Sequence, residues 1–395
     1  MKRILSIAVL FLAGLSAWGQ TLEDILARIE RNNASLAASA SEVELEQARN
    51  RQEYLLDDPN VEFNYLWGQN SAVGNRYDLS VSQSFDIATL TGMKGRQVRS
   101  MNELSHLRYK ADRLNVLLEA KQLLLDLVFC NAMIEELTSH REDCESLCAA
   151  TSRKVTLGEA TAMEYNKARL HLASVKGKVA KVEVERNQIL AKLQQLNGGE
   201  PISFTSSVYP SSGGQYVLPA DFGSWYHDAA DRNPVLRYVA QEIEVGQKQL
   251  RIDKMEWLPD LTVGYMSEIG LEDKYRGLTF GIAIPLWRNS SAVKKSMAQI
   301  SASQARQKQV VDEFEYKLRM EYESAHGLKE VAEEYRDALE ATDNRSMLLK
   351  AQSEGEISMI DYIVEVDLYY ESLEECLAAE RDYQKALAEL NAVNL

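Results

Sequence analysis

Basic residues, cysteine and proline are all scarce in this 395-residue sequence, and each scarcity excludes a class of protein. The 44 basic residues are outnumbered by 59 acidic ones, which gives a net charge of −15. A nucleic-acid-binding protein needs a basic surface to neutralise phosphate, so no nucleic-acid partner is expected. The four cysteines are too sparse for a disulfide-rich secreted scaffold.

The seven prolines leave two long windows, residues 86–200 and 288–395, without any proline. Because proline breaks the interior of a helix, these windows permit two very long helical regions. A compact enzyme with many short elements is therefore disfavoured. The sequence also contains no Gly-rich phosphate loop, no nucleophile elbow and no HExxH motif, so we predict no catalytic residues and no cofactor.

Residues 1–19 have the pattern of a secretory signal peptide. A basic start, Met1-Lys2-Arg3, precedes an apolar stretch over residues 4–15, and Ala17 and Gly19 place small residues before a cleavage site. That apolar stretch is too short to span a bilayer, which takes about 20 residues. We therefore expect an exported chain, and no later stretch is apolar enough to predict a transmembrane helix.

One helical stripe carries residues that are able to bind metal. His140, Cys144 and Cys148 are spaced at i, i+4 and i+8, so they share one helix face. Imidazole and thiolate groups in this spacing suit a soft metal ion, whereas small residues at a helix interface are the alternative interpretation. No fourth ligand is evident from the sequence, so we assign no metal site and leave the metal question open.

The two halves of the sequence resemble each other across their whole length. Three pairs of segments match at offsets of 197 to 200 residues: NASL (33–36) with NPVL (233–236), PNVEFNY (59–65) with PDLTVGY (259–265), and GEATAMEY (158–165) with GEISMIDY (355–362). We predict two structural repeats, residues 20–197 and 224–395. A segment rich in Gly, Ser and Pro, residues 198–223, is the predicted linker between them.

Each repeat is predicted to contain a helix, two strands and a long helical hairpin. The first helix is predicted over Leu22–Leu56. Alternating apolar and polar residues predict strands near 61–69, 76–86, 260–267 and 276–287. Strands of about 9–10 residues are long enough to cross a bilayer when tilted. The apolar rows supply these lipid-facing candidates: Phe63, Tyr65, Trp67, Leu79, Val81, Leu261, Val263, Tyr265, Phe280, Ile282 and Ile284.

Apolar residues at three- and four-residue steps predict long paired helices with coiled-coil seams. The helices are predicted over 90–150, 161–196, 289–350 and 357–393, with hairpin turns at Gly158 and Gly355. Lys121 is the one polar interruption of the first seam. A helix of this kind reaches roughly 90 Å, which a globular core cannot cover.

Four strands per chain are too few to close into a barrel. Their open edges would leave backbone groups unpaired, which lipid does not tolerate, so copies of the chain must complete the sheet. Three chains would supply twelve strands and a ring of long helices, although two or four chains would also give an even number.

With this order of elements, the sequence resembles the TolC family of outer-membrane efflux proteins. The resemblance covers essentially the mature chain and rests on TLEDILARIERNNASL (21–36), DPNVEFNY (58–65), LPDLTVGY (258–265), GIAIPLW (281–287) and two Gly-Glu hairpins. It implies a membrane α+β fold, in which a homotrimer shares a twelve-stranded outer-membrane β-barrel that continues into a long periplasmic α-helical barrel. It also implies an exit duct that passively conducts solutes from an inner-membrane pump and a periplasmic adaptor to the cell exterior.

The resemblance further suggests which residues form the periplasmic gate. Acidic residues on the second hairpin narrow the tunnel mouth in the family, and Asp361 stands at the matching position, six residues after Gly355. Glu365 lies beside Val364, which replaces a second family aspartate, and Glu164 is the candidate on the first hairpin. The alternative for all three is a solvated helix face.

The hairpin tips are the candidate adaptor contacts implied by the same resemblance. These residues are Lys154, Gly158, Glu159, Gly355 and Glu356. Ile357 replaces an arginine that the family uses nearby, which puts an arginine-based closing lock in doubt.

A periplasmic adaptor is the alternative function, because adaptors also combine a coiled-coil hairpin with β-structure. An adaptor usually has one hairpin and a lipoyl-like module, whereas two hairpins and two amphipathic strand pairs are predicted here. The substrate and the class of pump are not readable from the sequence.

Overall fold

The structure is a computed structural model that describes residues 21–70, 72–209, 218–285, 291–341 and 345–395. The predicted signal peptide lies outside these residues, as does part of the predicted linker. The described chain is mostly helical and contains a four-stranded antiparallel sheet, which confirms the coarse fold class.

Fifteen elements follow one another along the described chain. They are α1 (Leu22–Asn32), α2 (Ala34–Tyr54), β1 (Asn60–Leu66), β2 (Arg76–Phe85), α3 (Ile87–Leu90), α4 (Met93–Leu157), α5 (Ala162–Leu196), α6 (Phe222–Arg232), α7 (Pro234–Met255), β3 (Asp260–Ile269), β4 (Lys274–Ala283), α8 (Ser291–Ala341), α9 (Arg345–Glu354), α10 (Met359–Leu390) and a 3₁₀ turn (Ala392–Asn394).

The chain folds into two compact units. The helical unit comprises three segments of the chain: the part up to Ala37, Arg113–Ala229 and Glu315–Leu395. The sheet unit comprises Ala38–Asp112 and Ala230–Phe314. Within the described residues, no helix has both the length and the apolar composition needed to cross a bilayer.

The prediction of one continuous helix over Leu22–Leu56 is wrong, because the chain breaks at Asn33. The backbone of Asn33 is extended, with φ −68° and ψ 119°, and its side-chain Oδ1 accepts a hydrogen bond from the backbone N–H of Leu36 at 3.0 Å. Asn233 repeats this conformation and caps α7 through the N–H groups of Val235 and Leu236. An asparagine side chain that binds nearby backbone groups favours such a cap over the helix interior.

The helical unit contains two clusters of buried apolar side chains. In the larger cluster α1 packs on α4 and α5, and Ile25, Ile29, Leu124 and Leu193 are fully buried. Arg113 supports α1 through two hydrogen bonds to Glu30, of 2.6 and 2.8 Å. The smaller cluster joins α4 and α5 to α10: Leu147, Ala168, Met359, Tyr362, Val366 and Tyr370.

The strands of the sheet unit differ from the predicted strands at their ends. β1 ends at Leu66 instead of residue 69, because the backbone N–H of Gly68 donates to the side chain of Asn75 instead of to a strand. β4 begins at Lys274 and ends at Ala283, short of the predicted 287, and Pro285 follows. Proline has no N–H to donate to a ladder, so the ladder stops before it.

Candidate functional site

The sheet has one largely apolar face and one largely polar face. Residues directly opposite one another on antiparallel strands lie on the same face, so the strand pairing assigns each side chain to a face. The apolar face contains Val61, Phe63, Tyr65, Tyr77, Leu79, Val81, Phe85, Leu261, Val263, Tyr265, Ile269, Leu278, Phe280 and Ile282, with Gln83, Ser267, Lys274 and Arg276 as its polar members. Of the eleven lipid-facing candidates, nine lie in strands on this face.

The remaining two candidates, Trp67 and Ile284, do not belong to strands. Trp67 follows the end of β1 and packs edge-on against Tyr65, with ring centroids 5.0 Å apart. Ile284 directly follows β4. Both side chains are nonetheless strongly exposed, like Phe280 at 76% and Phe63 at 63%. The apolar face is thus a broad uncovered surface, well beyond the scattered apolar residues of an ordinary soluble surface.

The polar face carries an ion-pair cluster that sequence patterns did not identify. Arg76 Nε donates to Asp78 Oδ1 at 2.8 Å, and its Nη2 lies 2.8 Å from Glu268 Oε2. Asp78 and Glu268 are direct partners across β2 and β3, so Arg76 bridges two carboxylates that would otherwise repel each other. Only the strand pairing brings these residues together, since Glu268 is distant in sequence.

The two hairpin tips share one backbone design. After α4, Gly158 has φ +78°, and the N–H of Glu159 bonds to the carbonyl of Lys154 at 2.8 Å. The second tip repeats this with Gly355 at φ +82° and with the N–H of Glu356 bonded to the carbonyl of Ala351 at 2.8 Å. This is a Schellman motif, whose left-handed residue favours glycine. Glu159 and Glu356 are both exposed at these tips.

Glu164 and Asp361, two of the three predicted gate residues, lie at equivalent places in the two hairpins, where each carboxylate is hydrogen-bonded to the residue that caps its helix. Glu164 Oε2 accepts from the backbone N–H of Thr161 at 2.7 Å, and this bond holds the pKa of the Glu164 carboxyl below its usual value. Asp361 Oδ2 accepts from the hydroxyl of Ser358 at 2.6 Å. The third candidate, Glu365, is exposed one turn beyond Asp361. A lumen-facing position for any of the three stays a prediction.

An exposed apolar stripe runs along α10 beside these acidic residues. Ile360, Val364 and Leu368 lie at four-residue steps and are 51%, 58% and 59% exposed. Ile357, in the place of the family's arginine, instead packs against the smaller apolar cluster. An apolar stripe of this kind on a helix is typical of a surface that a partner helix covers.

The structure changes which residues come together at the candidate metal-binding stripe, for which the sequence assigned no metal. Cys148 does not belong to the group whose donor atoms meet; His171 from α5 joins His140 and Cys144 in its place. Burial raises the pKa of the Cys144 thiol to about 12, and burial lowers the pKa of His171. Sequence spacing within α4 could not identify His171, because the pairing of α4 with α5 brings it to the group.

Comparison with known proteins identifies the fold. No protein-family model matches the sequence, and no curated protein matches it. Solved structures match over nearly the whole chain. The outer membrane protein VceC from Vibrio cholerae has a TM-score of 0.76 at 14% identity, covering 94% of this chain and 95% of that one. The Campylobacter jejuni CmeC outer membrane channel has a TM-score of 0.76 at 13% identity, covering 94% and 85%.

A third similar structure is the open state of the Neisseria gonorrhoeae MtrE outer membrane channel. Its TM-score is 0.72 at 13% identity, and the match covers 95% of this chain and 88% of that one. These matches confirm the resemblance at the level of the fold: the chain has the fold of TolC-like outer-membrane channels.

Proposed function

We propose that the chain is the outer-membrane exit duct of a tripartite efflux or secretion system. The observation that carries the proposal is the four-stranded sheet, which has one uncovered apolar face and one polar face that is rich in hydrogen-bonding groups. A wall between lipid and a water-filled lumen needs these two faces. The likeness in fold to outer membrane channels supports the same conclusion.

The chain acts as a homotrimer in this proposal. Among the described residues, β1 pairs only with β2 and β4 only with β3, so both edges of the sheet are available to another chain. Backbone groups at an open edge cannot remain unpaired in lipid. Three copies would join their edges into a twelve-stranded barrel in the outer membrane, and the exposed stripe on α10 would lie between helices of a periplasmic helical barrel.

The duct conducts solutes passively. Moving a charged solute through hydrocarbon requires its desolvation, which a water-filled passage avoids. Asp361, with Glu365 and Glu164, would place rings of carboxylates near the periplasmic mouth, and such rings favour cations. The tips at Lys154, Gly158, Glu159, Gly355 and Glu356 would meet a periplasmic adaptor, which connects the duct to an inner-membrane pump.

Three measurements on the full chain test this proposal. We expect the purified protein to require detergent for extraction, to have the mass of three chains by light scattering, and to form conducting pores in planar bilayers. A periplasmic adaptor would instead be released by salt or be held only by a lipid anchor. A single chain in detergent that forms no pores would overturn the proposal.

The export role needs a cellular test. We expect a deletion strain to become more sensitive to at least some members of a panel of drugs, detergents and metal salts, or to lose a secreted protein. Restoring the wild-type gene should restore the phenotype. An unchanged phenotype across the panel and an unchanged secretome would contradict the export role while leaving pore formation to be judged separately.

A further inference from the structure

Three donor side chains meet inside the helical unit at the junction of two helices. His140 and Cys144 lie one turn apart on α4, and His171 lies on α5. One ring nitrogen from each histidine and the Cys144 Sγ all lie within 4.8 Å of one another. Ligand atoms around a tetrahedral zinc ion are separated by roughly 3.5 Å, so small side-chain adjustments are enough to close this group around an ion.

The three side chains are deeply buried; burial is ordinary for a free thiol but less usual for two neighbouring imidazoles. The exposed fractions are 2% for His140, 1% for Cys144 and 8% for His171. Within the described part of the chain, the buried Nε2 atom of His171 has no hydrogen-bond partner. A buried nitrogen lone pair or N–H without a partner calls for an explanation, and an unseen ligand is one of the standard explanations.

The surroundings of the group resemble the outer shell of a metal centre. Asp367 on α10 places its Oδ1 3.8 Å from His171 Nδ1. This distance is too long for a hydrogen bond, so the carboxylate acts through its negative charge, which increases the basicity of the imidazole. The ring of Tyr370 stacks on His140 in parallel, with centroids 3.9 Å apart, and holds that imidazole in place.

We propose that His140, Cys144 and His171 bind one thiophilic closed-shell ion, Zn²⁺ or Cu⁺, as a structural metal centre that links α4 to α5. A ligand set of two imidazoles and one thiolate without a carboxylate is unsuited to Ca²⁺ or Mg²⁺ and suits these two ions. On binding, the Cys144 thiol would lose its proton to solvent as the S–metal bond forms.

The burial of His140, Cys144 and His171 indicates that a bound ion has a structural role and is not a solute in transit. A solute in transit must reach its contacts through water, and these side chains are already covered within one chain. Association with further copies can only cover them more. The centre would therefore tie the first hairpin together at the level where α10 packs against it.

Spectroscopy on the full wild-type chain tests the proposal without any variant. We expect the purified protein in detergent, stripped of metal and titrated with Co²⁺, to develop a thiolate-to-cobalt absorption band that saturates at one ion per chain. Zn²⁺ should displace the cobalt stoichiometrically. In a separate arm, Cu⁺ is titrated against a chromogenic Cu⁺ chelator under reducing conditions. Absence of the thiolate band together with no Cu⁺ binding would overturn the proposal.

Variants identify the ligands. Cys144→Ser and His171→Gln should each weaken binding by about 100-fold or more, whereas Asp367→Asn, which removes only a charge near His171, should weaken it by a smaller factor. Cys376→Ala removes another buried cysteine, and Cys148→Ala removes the neighbour on the stripe; both should leave affinity unchanged. If Cys148→Ala abolished binding while His171→Gln did not, the assigned ligand set would be wrong.

Discussion

The side-chain amide of Asn33 donates a hydrogen bond to the backbone carbonyl of Leu196 at 2.8 Å, and so joins the break after α1 to the last turn of α5. The same side chain uses its Oδ1 to cap α2 at Leu36. One residue thereby satisfies backbone groups at the ends of two helices, which would otherwise need water. The break between α1 and α2 is therefore stabilised by specific hydrogen bonds of Asn33.

Replacing Asn33 with serine separates these two roles. Asn33→Ser keeps an oxygen that can cap α2 but removes the donor to Leu196, so we expect a loss of about 1–2 kcal/mol of stability. The thermal midpoint of the purified protein in detergent measures the loss. Asn233→Ser is the matched control, because serine caps a helix about as well as asparagine. Equal losses in both variants would contradict the role of the Leu196 contact.

Gly198 is predicted to be irreplaceable at the end of α5. It has φ +65°, and a Cβ atom there would overlap the backbone carbonyl oxygen of Asn32. Gly199 has φ +90° but open space around it, and Gly177 lies in a helix with open space. We expect Gly198→Ala to be the most destabilising, by more than about 2 kcal/mol, because a backbone clash adds to left-handed strain.

The two other glycines serve as controls for that prediction. Gly199→Ala should cost about 1 kcal/mol from backbone strain alone, and Gly177→Ala should be neutral or stabilising by up to about 1 kcal/mol. The thermal midpoint should therefore be highest for Gly177→Ala, lower for Gly199→Ala and lowest for Gly198→Ala. A Gly198→Ala variant as stable as Gly199→Ala would be inconsistent with the close approach to Asn32.

Two neighbouring residues on β2 distinguish a lipid-facing surface from a lumen-facing one. Val81 lies on the apolar face, and Ser80 lies on the polar face opposite Glu62. If the apolar face contacts lipid, Val81→Arg should cost about 2–4 kcal/mol, whereas Ser80→Arg should be tolerated. The yield of heat-resistant oligomer in outer-membrane fractions measures both. Equal yields for the two variants would argue against a membrane-embedded sheet.

Much of this fold was predictable because its signals are local. The alternation of apolar and polar residues around Phe63 and Phe280 extends over a few residues, so it identified the strands. The glycines at the two hairpin tips are likewise a local signal, and they identified the turns. The break at Asn33 was missed because the helical pattern of apolar residues continues through it. His171 and the Arg76–Glu268 contact were missed for another reason: pairing between distant segments brings these residues together, and no spacing within one element reports it.

Lys121 interrupts the apolar seam of α4 and is buried, with only 6% of its surface exposed. Burial lowers the pKa of its ammonium group to about 8, although the charge of Glu23 acts in the opposite direction. The usual lysine pKa in an unfolded chain is about 10.4, so the charged form destabilises the fold at every pH below about 8. This cost decreases between about pH 8 and 10.4, where the folded protein has lost the proton and the unfolded chain still holds it, and it is absent above about pH 10.4.

Lys121→Met should therefore stabilise the protein by about 1–3 kcal/mol at neutral pH, since methionine fills a similar space without a charge. The gain should shrink as the pH approaches about 10.4. Thermal midpoints recorded at pH 7 and at pH 10 measure the difference. Lys192→Met, at an exposed position on α5, should change neither value. A gain for Lys121→Met that is independent of pH would mean that packing and not charge is responsible.

Asp361 has two possible contributions, and one substitution separates them. Its carboxylate accepts a hydrogen bond from the hydroxyl of Ser358, the residue that caps α10, and in the proposed duct it also places negative charge at the periplasmic mouth. Asp361→Asn keeps an oxygen that can accept the same hydrogen bond but removes the charge. We expect the stability to change by less than about 1 kcal/mol, because Ser358 Oγ still caps the helix by accepting from the backbone N–H of residue 361.

The preference for cations over anions in planar bilayers should fall in Asp361→Asn, because a carboxylate ring at a constriction attracts cations. The difference from wild type should be largest in dilute salt and small at 1 M, where charges are screened beyond about 3 Å. Glu164→Gln provides the matched change on the first hairpin, where the carboxylate is held by the N–H of Thr161. If Asp361→Asn altered stability but left ion selectivity unchanged in dilute salt, its carboxylate would serve the helix end alone, and the constriction would have to lie elsewhere along the duct.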